Sequence, residues 1–217
     1  MATTLIKKCR RTAHRIFSIP DAMTIRSYKQ IQGFLAPREA VGLYQTARRL
    51  QPGSTVVEIG SWKGKSTYCL AKGLRDGRVI AIDPFDASGD EASAKIYEKT
   101  GGEVPLLEQF KRNMEGRGVL SKIECWQGLS TAFADKIKAL GPIDLLFIDG
   151  DHSIEGCDFD YLNYSPGLKS GGYLLFHDFD KTRENLGPTW VINNRVRPSG
   201  AYQFIALYES LWICRKK

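Results

Sequence analysis

Short apolar runs alternate with helical segments along most of this chain. The runs TVVEI, RVIAID, KIECWQ, IDLLFID and YLLFHD have the length and composition typical of buried strands. The segments between them are long enough for helical crossovers, and strands joined in this way form parallel sheets. The alternation therefore predicts an α/β protein with helices on both faces of a mostly parallel sheet.

The last two apolar runs differ from the others because almost no chain separates them. YQFIALY and LWICR are joined only by Glu209-Ser210, and so short a link forces an antiparallel pair. The complete prediction is a doubly wound, Rossmann-like, mostly parallel seven-stranded sheet with a C-terminal antiparallel hairpin. Its strands span 55–59, 78–83, 122–127, 143–149, 173–178 (started by Gly171-Gly172), 202–208 and 211–215. Its helices cover 37–50, 64–74, 90–99, 105–115, 130–139, 153–165 and 188–197.

The length of 217 residues suits one domain with an extension. We predict a basic helical extension at 1–36 and a single domain at 37–217. The formal net charge of +7 permits an anionic partner without requiring one. Because no run of 18 apolar residues exists, no membrane span is expected.

The first twenty residues are basic, with apolar residues at helical spacing and no acidic residue before Asp21. We expect a helix that covers the functional edge of the domain or an oligomer contact, which leaves a homodimer open. Binding to an anionic surface and a mitochondrial presequence are the alternatives. The five cysteines are scattered and never form CxxC, which favours reduced, buried thiols and a cytoplasmic protein.

A glycine-containing loop, EIGSWKGKS, follows the first strand, and open α/β sheets bind ligands at such strand ends. A P-loop needs four residues between its glycines, whereas only three separate Gly60 from Gly64. A dinucleotide site needs GxGxxG, and Trp62 stands at its second glycine. Two interpretations of the loop remain. One is an S-adenosylmethionine site, which tolerates E-x-G-x-x-x-G, and the other is an ordinary strand-to-helix turn.

Acidic residues and histidines follow the other strands. Asp83 lies 23 positions after Gly60, the spacing at which these folds bind ribose hydroxyls. The fourth strand ends in Asp149-Gly150-Asp151-His152 and the fifth in His177-Asp178. Asp149, His177 and Asp178 could converge on one cation, with oxygen ligands favouring Mg²⁺ or Mn²⁺ and an imidazole favouring Mn²⁺, Fe²⁺ or Zn²⁺. Each residue alone could equally be a turn or cap residue.

Four segments carry a family resemblance: VVEIGSWKGKSTYCLA, VIAIDPF, IDLLFIDGDHS and GGYLLFHDF. Together they resemble the class I S-adenosylmethionine-dependent methyltransferases. Within that class they are similar to the metal-dependent O-methyltransferases related to macrocin O-methyltransferase and cephalosporin-hydroxylase-like proteins, with catechol O-methyltransferase as a more distant relative. The resemblance covers residues 37–214, and the pairing of FIDGDHS with GG-x(4)-HD is its most specific part. The ranges 1–36 and 84–105 match nothing in these families.

The resemblance implies S-adenosylmethionine as cofactor and assigns roles to single residues. Glu58 and Gly60 would lie near the methionine end of the cofactor, Trp62 and Ser66 would line that pocket, Asp83 would bind the ribose, and Ser130 the adenine. Asp149 and Asp178 match metal ligands and His152 the catalytic base, whereas His177 stands where the sugar enzymes carry an acid. The complete candidate cofactor-binding set is Glu58, Gly60, Ser61, Trp62, Gly64, Ser66, Asp83 and Ser130.

The implied activity is methyl transfer to a hydroxyl of a sugar or phenol, assisted by Mg²⁺ or Mn²⁺, with His152 as general base. Two other classes stay open. A nucleic-acid-binding relative would use the positive charge, but no aromatic-basic signature and no Asn/Asp-Pro-Pro-aromatic motif is present, so no nucleic acid is expected. A nicotinamide-dependent oxidoreductase is weakened by the missing GxGxxG.

Overall fold

The structure, a computed structural model, describes residues 19–86 and 104–217. The predicted helix at 90–99 lies outside these ranges, as does nearly all of the predicted N-terminal helix. Residues 19–24 are helical and form the described part of α1.

Within the described ranges, seven strands and six further α-helices follow, and apolar periodicity predicts most of them. The strands are β1 (Ser54–Ile59), β2 (Gly77–Asp83), β3 (Ile123–Gln127), β4 (Ile143–Ile148), β5 (Leu168–Phe176), β6 (Tyr202–Tyr208) and β7 (Leu211–Lys216). The helices are α2 (Pro37–Arg48), α3 (Lys65–Gly73), α4 (Leu106–Glu115), α5 (Ala134–Leu140), α6 (Ile154–Tyr164) and α7 (Gly187–Val191).

The seven strands form one sheet in the order β3-β2-β1-β4-β5-β7-β6. β1 lies beside β2 and β4, and the first five strands are parallel. β7 is antiparallel to both β5 and β6. The order reverses at β1, so the ends of β1 and β4 border a crevice, the usual ligand position in such sheets. The predicted fold class is confirmed.

The predicted start of the fifth strand is wrong, because β5 begins at Leu168 and includes the two glycines. Gly171 has φ +78°, a conformation that favours glycine. The register with β4 shifts in this region, from Ile143 opposite Leu168 to Leu145 opposite Tyr173. The glycines therefore form an irregularity inside the strand, not its beginning.

Two predicted helices are less regular than expected. The segment predicted as one helix over 130–139 starts as a 3₁₀ turn, Ser130–Phe133, before α5. The segment predicted as a helix near 188–197 divides into α7 and a π-helical turn, Ile192–Val196. Helix ends and short turns depend on hydrogen bonds that apolar spacing does not encode.

Two apolar clusters sandwich the sheet. One contains residues of α2, α3 and α4, and the other contains residues of α5, α6 and α7. Ile25, Tyr28, Ile31 and Leu35 are buried in the first cluster, so this part of the predicted extension belongs to the same core. Burial of such side chains stabilises a fold by about 1.5–3 kcal/mol each.

The four cysteines in the described ranges form no disulfide with one another. Cys69, Cys157 and Cys214 are buried and Cys125 is half-buried. Within residues 19–86 and 104–217, the helices are too short or too polar to cross a bilayer.

Candidate active site

A cavity of about 630 Å³ opens at the carboxyl edge of the sheet. Its volume lies within the range of small-molecule sites. The cavity brings together residues from the ends of β1, β2, β3, β4 and β5, as the strand-end rule predicts. Of the sequence-predicted residues, it is lined by Gly60, Ser61, Trp62, Ser66, Asp83, Ser130, Asp149, His152, His177 and Asp178.

Gly60 is required by the close approach of two strand ends. Its φ is +88°, and a Cβ at this position would lie 1.9 Å from the carbonyl oxygen of Asp149. Its N–H donates to the carbonyl of Ile82 at 2.9 Å. The glycine thus lets the chain leave β1 between β2 and β4, at the floor of the cavity.

Gly64 and Glu58 do not line the cavity. Gly64 has φ +87°, and a Cβ there would meet the side chains of Met114 and Phe110 at 2.7 and 2.9 Å. Its position is explained by packing of the loop on α4. Direct cofactor contact by Gly64 and Glu58 stays a prediction.

Glu58 is fully buried and holds the loop from below. Its Oε2 accepts hydrogen bonds from the hydroxyls of Ser61 and Thr67. Burial raises the pKa of Glu58 to about 7, against the lowering effect of the neighbouring hydroxyls. The carboxyl group therefore stabilises the shape of the glycine loop.

Asp83 ends β2 and also organises the loop. Its Oδ2 accepts the backbone N–H of Trp62 at 2.8 Å, and its Oδ1 accepts that of Phe85 at 2.7 Å. Burial raises the pKa of Asp83, while these N–H groups lower it. A third backbone N–H, that of Ser61, also bonds this carboxylate, which leaves one of its four lone pairs for the predicted ribose contact.

Trp62 adopts φ +41°, which is uncommon for a bulky residue. Its ring stacks on Phe34 with centroids 5.8 Å apart and an interplanar angle of 15°. Phe34 is 63% exposed at the cavity mouth, and Leu129 is 58% exposed on the opposite loop. The rim of the cavity is therefore partly apolar.

Ser130 lies at the cavity wall where the adenine contact is predicted. Its carbonyl accepts a hydrogen bond from the Tyr164 hydroxyl at 2.6 Å. Beside it lies Asp160 of α6, a cavity residue that sequence reasoning missed. Asp160 is 2% exposed, and its Oδ1 has no hydrogen-bond partner in the described structure. Burial raises the pKa of Asp160 to about 7, against the hydrogen bond from Ser130.

An acid–histidine cluster occupies the other end of the cavity. His177 Nδ1 lies 3.2 Å from both Asp149 Oδ1 and Asp178 Oδ2. His152 Nε2 lies 2.9 Å from Asp178 Oδ2 and 3.9 Å from Asp149 Oδ1. The four predicted residues therefore converge. Asp178 has φ +56°, a conformation that costs energy and that often occurs at functional sites.

Glu39 of α2 completes this cluster and was not predicted from the sequence. It is 3% exposed, and its Oε2 lies 3.1 Å from His177 Nε2. The sequence after Pro37 predicts only the start of a helix. It carries no sign of a contact with His177, which lies 138 positions away. A buried acid needs a partner, but the sequence does not indicate which one.

The charges within the cluster stabilise one another. Burial would lower the pKa of His177, but Asp149, Asp178 and Glu39 raise it well above its ordinary value. Burial opposes ionisation of Asp178, but contacts with His152 and His177 hold its pKa well below the usual range. The Asp178 carboxylate is therefore ionised at neutral pH.

The donor set fits a divalent cation. The ligand atoms of Asp149, His152 and Asp178 all lie within 4.8 Å of one another. Adjacent ligands of an octahedral cation with bonds of about 2 Å are roughly 3 Å apart. The separations of 3.2 Å between His177 Nδ1 and the two aspartates also match this spacing.

Comparison with known proteins identifies the family. Residues 57–179, more than half of the chain, match the methyltransferase domain family. An uncharacterised protein of Acanthamoeba polyphaga mimivirus, R132, is 29% identical over 129 residues, which are 59% of this chain and 53% of that relative. The chain thus spans about half the length of this curated relative.

Two solved structures share the fold. The O-methyltransferase TomG from Streptomyces achromogenes, involved in tomaymycin synthesis and solved with S-adenosylmethionine, is 15% identical with a TM-score of 0.62. The match covers 92% of this chain and 89% of TomG. An O-methyltransferase from Bacillus cereus, in complex with S-adenosylhomocysteine, is 17% identical with a TM-score of 0.62, covering 92% and 90% of the two chains.

The sheet order and the glycine loop define an α/β protein with the Rossmann-like methyltransferase fold. The chain belongs to the methyltransferase domain family. The resemblance drawn from the four sequence segments to class I methyltransferases is confirmed.

Proposed function

We propose that this protein transfers a methyl group from S-adenosylmethionine to a hydroxyl oxygen of a small molecule, of the sugar or phenol type, with the assistance of a divalent cation. One observation carries the proposal. A single cavity contains the glycine loop with Asp83 at one end and the Asp149–His152–Asp178 cluster at the other. The part of the cavity that would hold the cofactor therefore adjoins the part that would hold the acceptor, as direct transfer of the methyl group requires.

Asp149 and Asp178 would hold the cation, and Mg²⁺ or Mn²⁺ suits their carboxylates. When bound, such a cation supplies a Lewis acid that stabilises negative charge on the acceptor oxygen. The cluster contains hard oxygen donors next to imidazole nitrogens, which is the chemistry this role needs.

His152 is the proposed general base. Its Nε2 contacts Asp178, so it lies beside the position where the acceptor hydroxyl would meet the cluster. Once it no longer donates to Asp178, this nitrogen would take the hydroxyl proton as the new oxygen–carbon bond forms and the sulfur–methyl bond of S-adenosylmethionine breaks, which leaves S-adenosylhomocysteine. The same nitrogen could instead be a third cation ligand, since it lies within 4.8 Å of both carboxylate ligand atoms.

The acceptor would enter across the apolar rim. Phe34 is exposed there, and its ring stacks on Trp62. Aromatic faces of this kind pack against flat or ring-shaped molecules. This rim favours a sugar or phenol ring over an extended acyl chain as the acceptor.

The direct test is methyl transfer from labelled S-adenosylmethionine to a panel of sugars and phenols, with and without a chelator. We expect turnover that the chelator abolishes and that Mn²⁺ or Mg²⁺ restores. Asp149→Asn should remove turnover, whereas Asp158→Asn changes an aspartate that pairs with Arg195 and serves as the control. Full turnover in excess chelator, with no metal in the protein, would show that methyl transfer does not need a cation.

A further inference from the structure

Glu39 is an acidic residue buried behind the acid–histidine cluster. It lies on α2, which precedes the first strand, and three chain segments fix its carboxylate. Oε1 accepts the backbone N–H and the hydroxyl of Ser210 at 2.9 and 2.6 Å. Oε2 accepts the N–H of Ala36 at 2.8 Å and lies 3.1 Å from His177 Nε2.

This carboxylate is buried, since Glu39 is 3% exposed, and each of its two oxygens has two of these hydrogen-bonding partners. Because four hydrogen-bonding groups surround it, the carboxylate has little freedom to rotate. A fixed acceptor therefore faces one nitrogen of the His177 ring.

The two ring nitrogens of His177 have different surroundings. Nε2 faces Glu39, whereas Nδ1 faces the space between Asp149 and Asp178. A neutral imidazole carries its proton on one nitrogen and a lone pair on the other, and the hydrogen bond of one decides the state of the other. Nδ1, with carboxylate oxygens of Asp149 and Asp178 both at 3.2 Å, carries a proton in the cation-free ring. A cation bound between these two aspartates would displace that proton, and the ring would then keep its remaining proton on Nε2, where Glu39 accepts it.

We infer that Glu39 is a positioning residue of the cation site: it accepts the Nε2–H of His177 and thereby presents the Nδ1 lone pair to a cation between Asp149 and Asp178. The inference rests on the cation site of the proposed function. Histidine ligands in metalloproteins are commonly oriented by an outer carboxylate in this way. The nitrogen ligand would favour Mn²⁺, Fe²⁺ or Zn²⁺ over Mg²⁺.

The wild-type protein offers a direct readout, because the chain contains only three histidines, His14, His152 and His177. We would label them with ¹⁵N and saturate the protein with ¹¹³Cd²⁺. The expected spectrum shows His177 with a protonated Nε2 and an unprotonated Nδ1 coupled to the metal. Assignment follows from His14→Ala and His152→Ala.

The outcomes separate this inference from the proposed function. If Cd²⁺ binds and Nδ1 of His177 stays protonated, the positioning role of Glu39 is wrong. The cation site of the proposed function would still be supported, because the metal binds. A protein that binds neither Cd²⁺ nor Mn²⁺ would overturn both.

Variants of the outer residues supply the second measurement, the affinity for Mn²⁺ by calorimetry. Glu39→Ala should weaken Mn²⁺ binding by about 10–100-fold, the usual effect of removing an outer-shell partner. Glu39→Gln should restore most of the affinity for Mn²⁺, because its amide oxygen can accept the Nε2–H.

Ser210→Ala removes a different hydrogen bond of the same carboxylate and is the matched control. Equal losses in Glu39→Ala and Ser210→Ala would indicate a purely structural residue, and the wild-type spectrum decides the question if Glu39→Ala does not fold.

Discussion

Gly60 and Asp149 meet at the floor of the cavity, where no side chain fits between them. A Cβ on Gly60 would lie 1.9 Å from the Asp149 carbonyl oxygen and 2.9 Å from the Cα of Gly150. The N–H of Asp149 in turn donates to the carbonyl of Ile59 at 2.9 Å. This contact joins the loop expected to hold the cofactor to the strand end expected to hold the cation.

The first prediction concerns this contact. Gly60→Ala should destabilise the protein by more than the roughly 1–3 kcal/mol of an unfavourable backbone conformation, because the methyl group also collides with backbone. Urea unfolding would measure the loss. Gly53→Ala is the control, since Gly53 has φ +80° with nothing within 4 Å of its Cβ position. Equal losses of unfolding free energy in the two variants would show that the close approach of Gly60 to Asp149 adds no cost beyond the backbone conformation.

The second prediction concerns the ribose role of Asp83. Asp83→Ala should weaken S-adenosylhomocysteine binding by about 1–3 kcal/mol, provided that the carboxylate binds the ribose hydroxyls. Since Asp83 also holds the N–H groups of Trp62 and Phe85, a lower affinity alone does not identify the cause.

A cofactor analogue without the ribose hydroxyls separates the two roles of Asp83. If Asp83 binds the hydroxyls, the losses from the variant and from the analogue should be strongly non-additive in calorimetry. Additive losses would assign Asp83 to loop organisation alone.

The third prediction tests His152 as the base. His152→Ala should lower kcat by about 10²–10⁴-fold, because the hydroxyl proton then has no acceptor in position. The affinities for S-adenosylhomocysteine and Mn²⁺ should stay near those of the wild type. A loss of Mn²⁺ affinity comparable to that of Asp149→Asn would make His152 a cation ligand and not the base.

The fourth prediction concerns pH and the buried acid Asp160. Its pKa is raised from 3.8 to about 7 by burial, so the folded protein holds a proton that the unfolded chain releases above pH 4. The contribution of Asp160 to the free energy of unfolding is therefore fully present below about pH 4, and it is lost as the pH rises through about 7.

Asp160→Asn should remove this pH dependence. Between about pH 4 and pH 8 the unfolding free energy of the wild type should therefore fall by a few kcal/mol relative to that of the variant. Chemical unfolding at a series of pH values is the measurement. Glu155→Gln alters an exposed carboxylate of the same helix and serves as the control. Parallel curves for the wild type and Asp160→Asn would contradict the raised pKa.

The sequence by itself determined the sheet and the edge that carries the site. Apolar runs at regular intervals require buried strands, and the short link Glu209-Ser210 requires an antiparallel pair. Because parallel strands end at the same edge, Gly60, Asp83, Asp149 and His177 had to lie near one another. These conclusions depend only on local periodicity and chain connectivity.

Only the tertiary structure decided which side chains touch. The sequence could not show that Glu39 of α2 contacts His177, that Asp160 of α6 enters the cavity, or that Gly64 serves packing on Phe110. Each of these relationships joins residues from different elements, and its geometry depends on how helices pack across the sheet. Local propensity predicts elements, whereas the pairing of buried charges is settled by distances and desolvation in the folded chain.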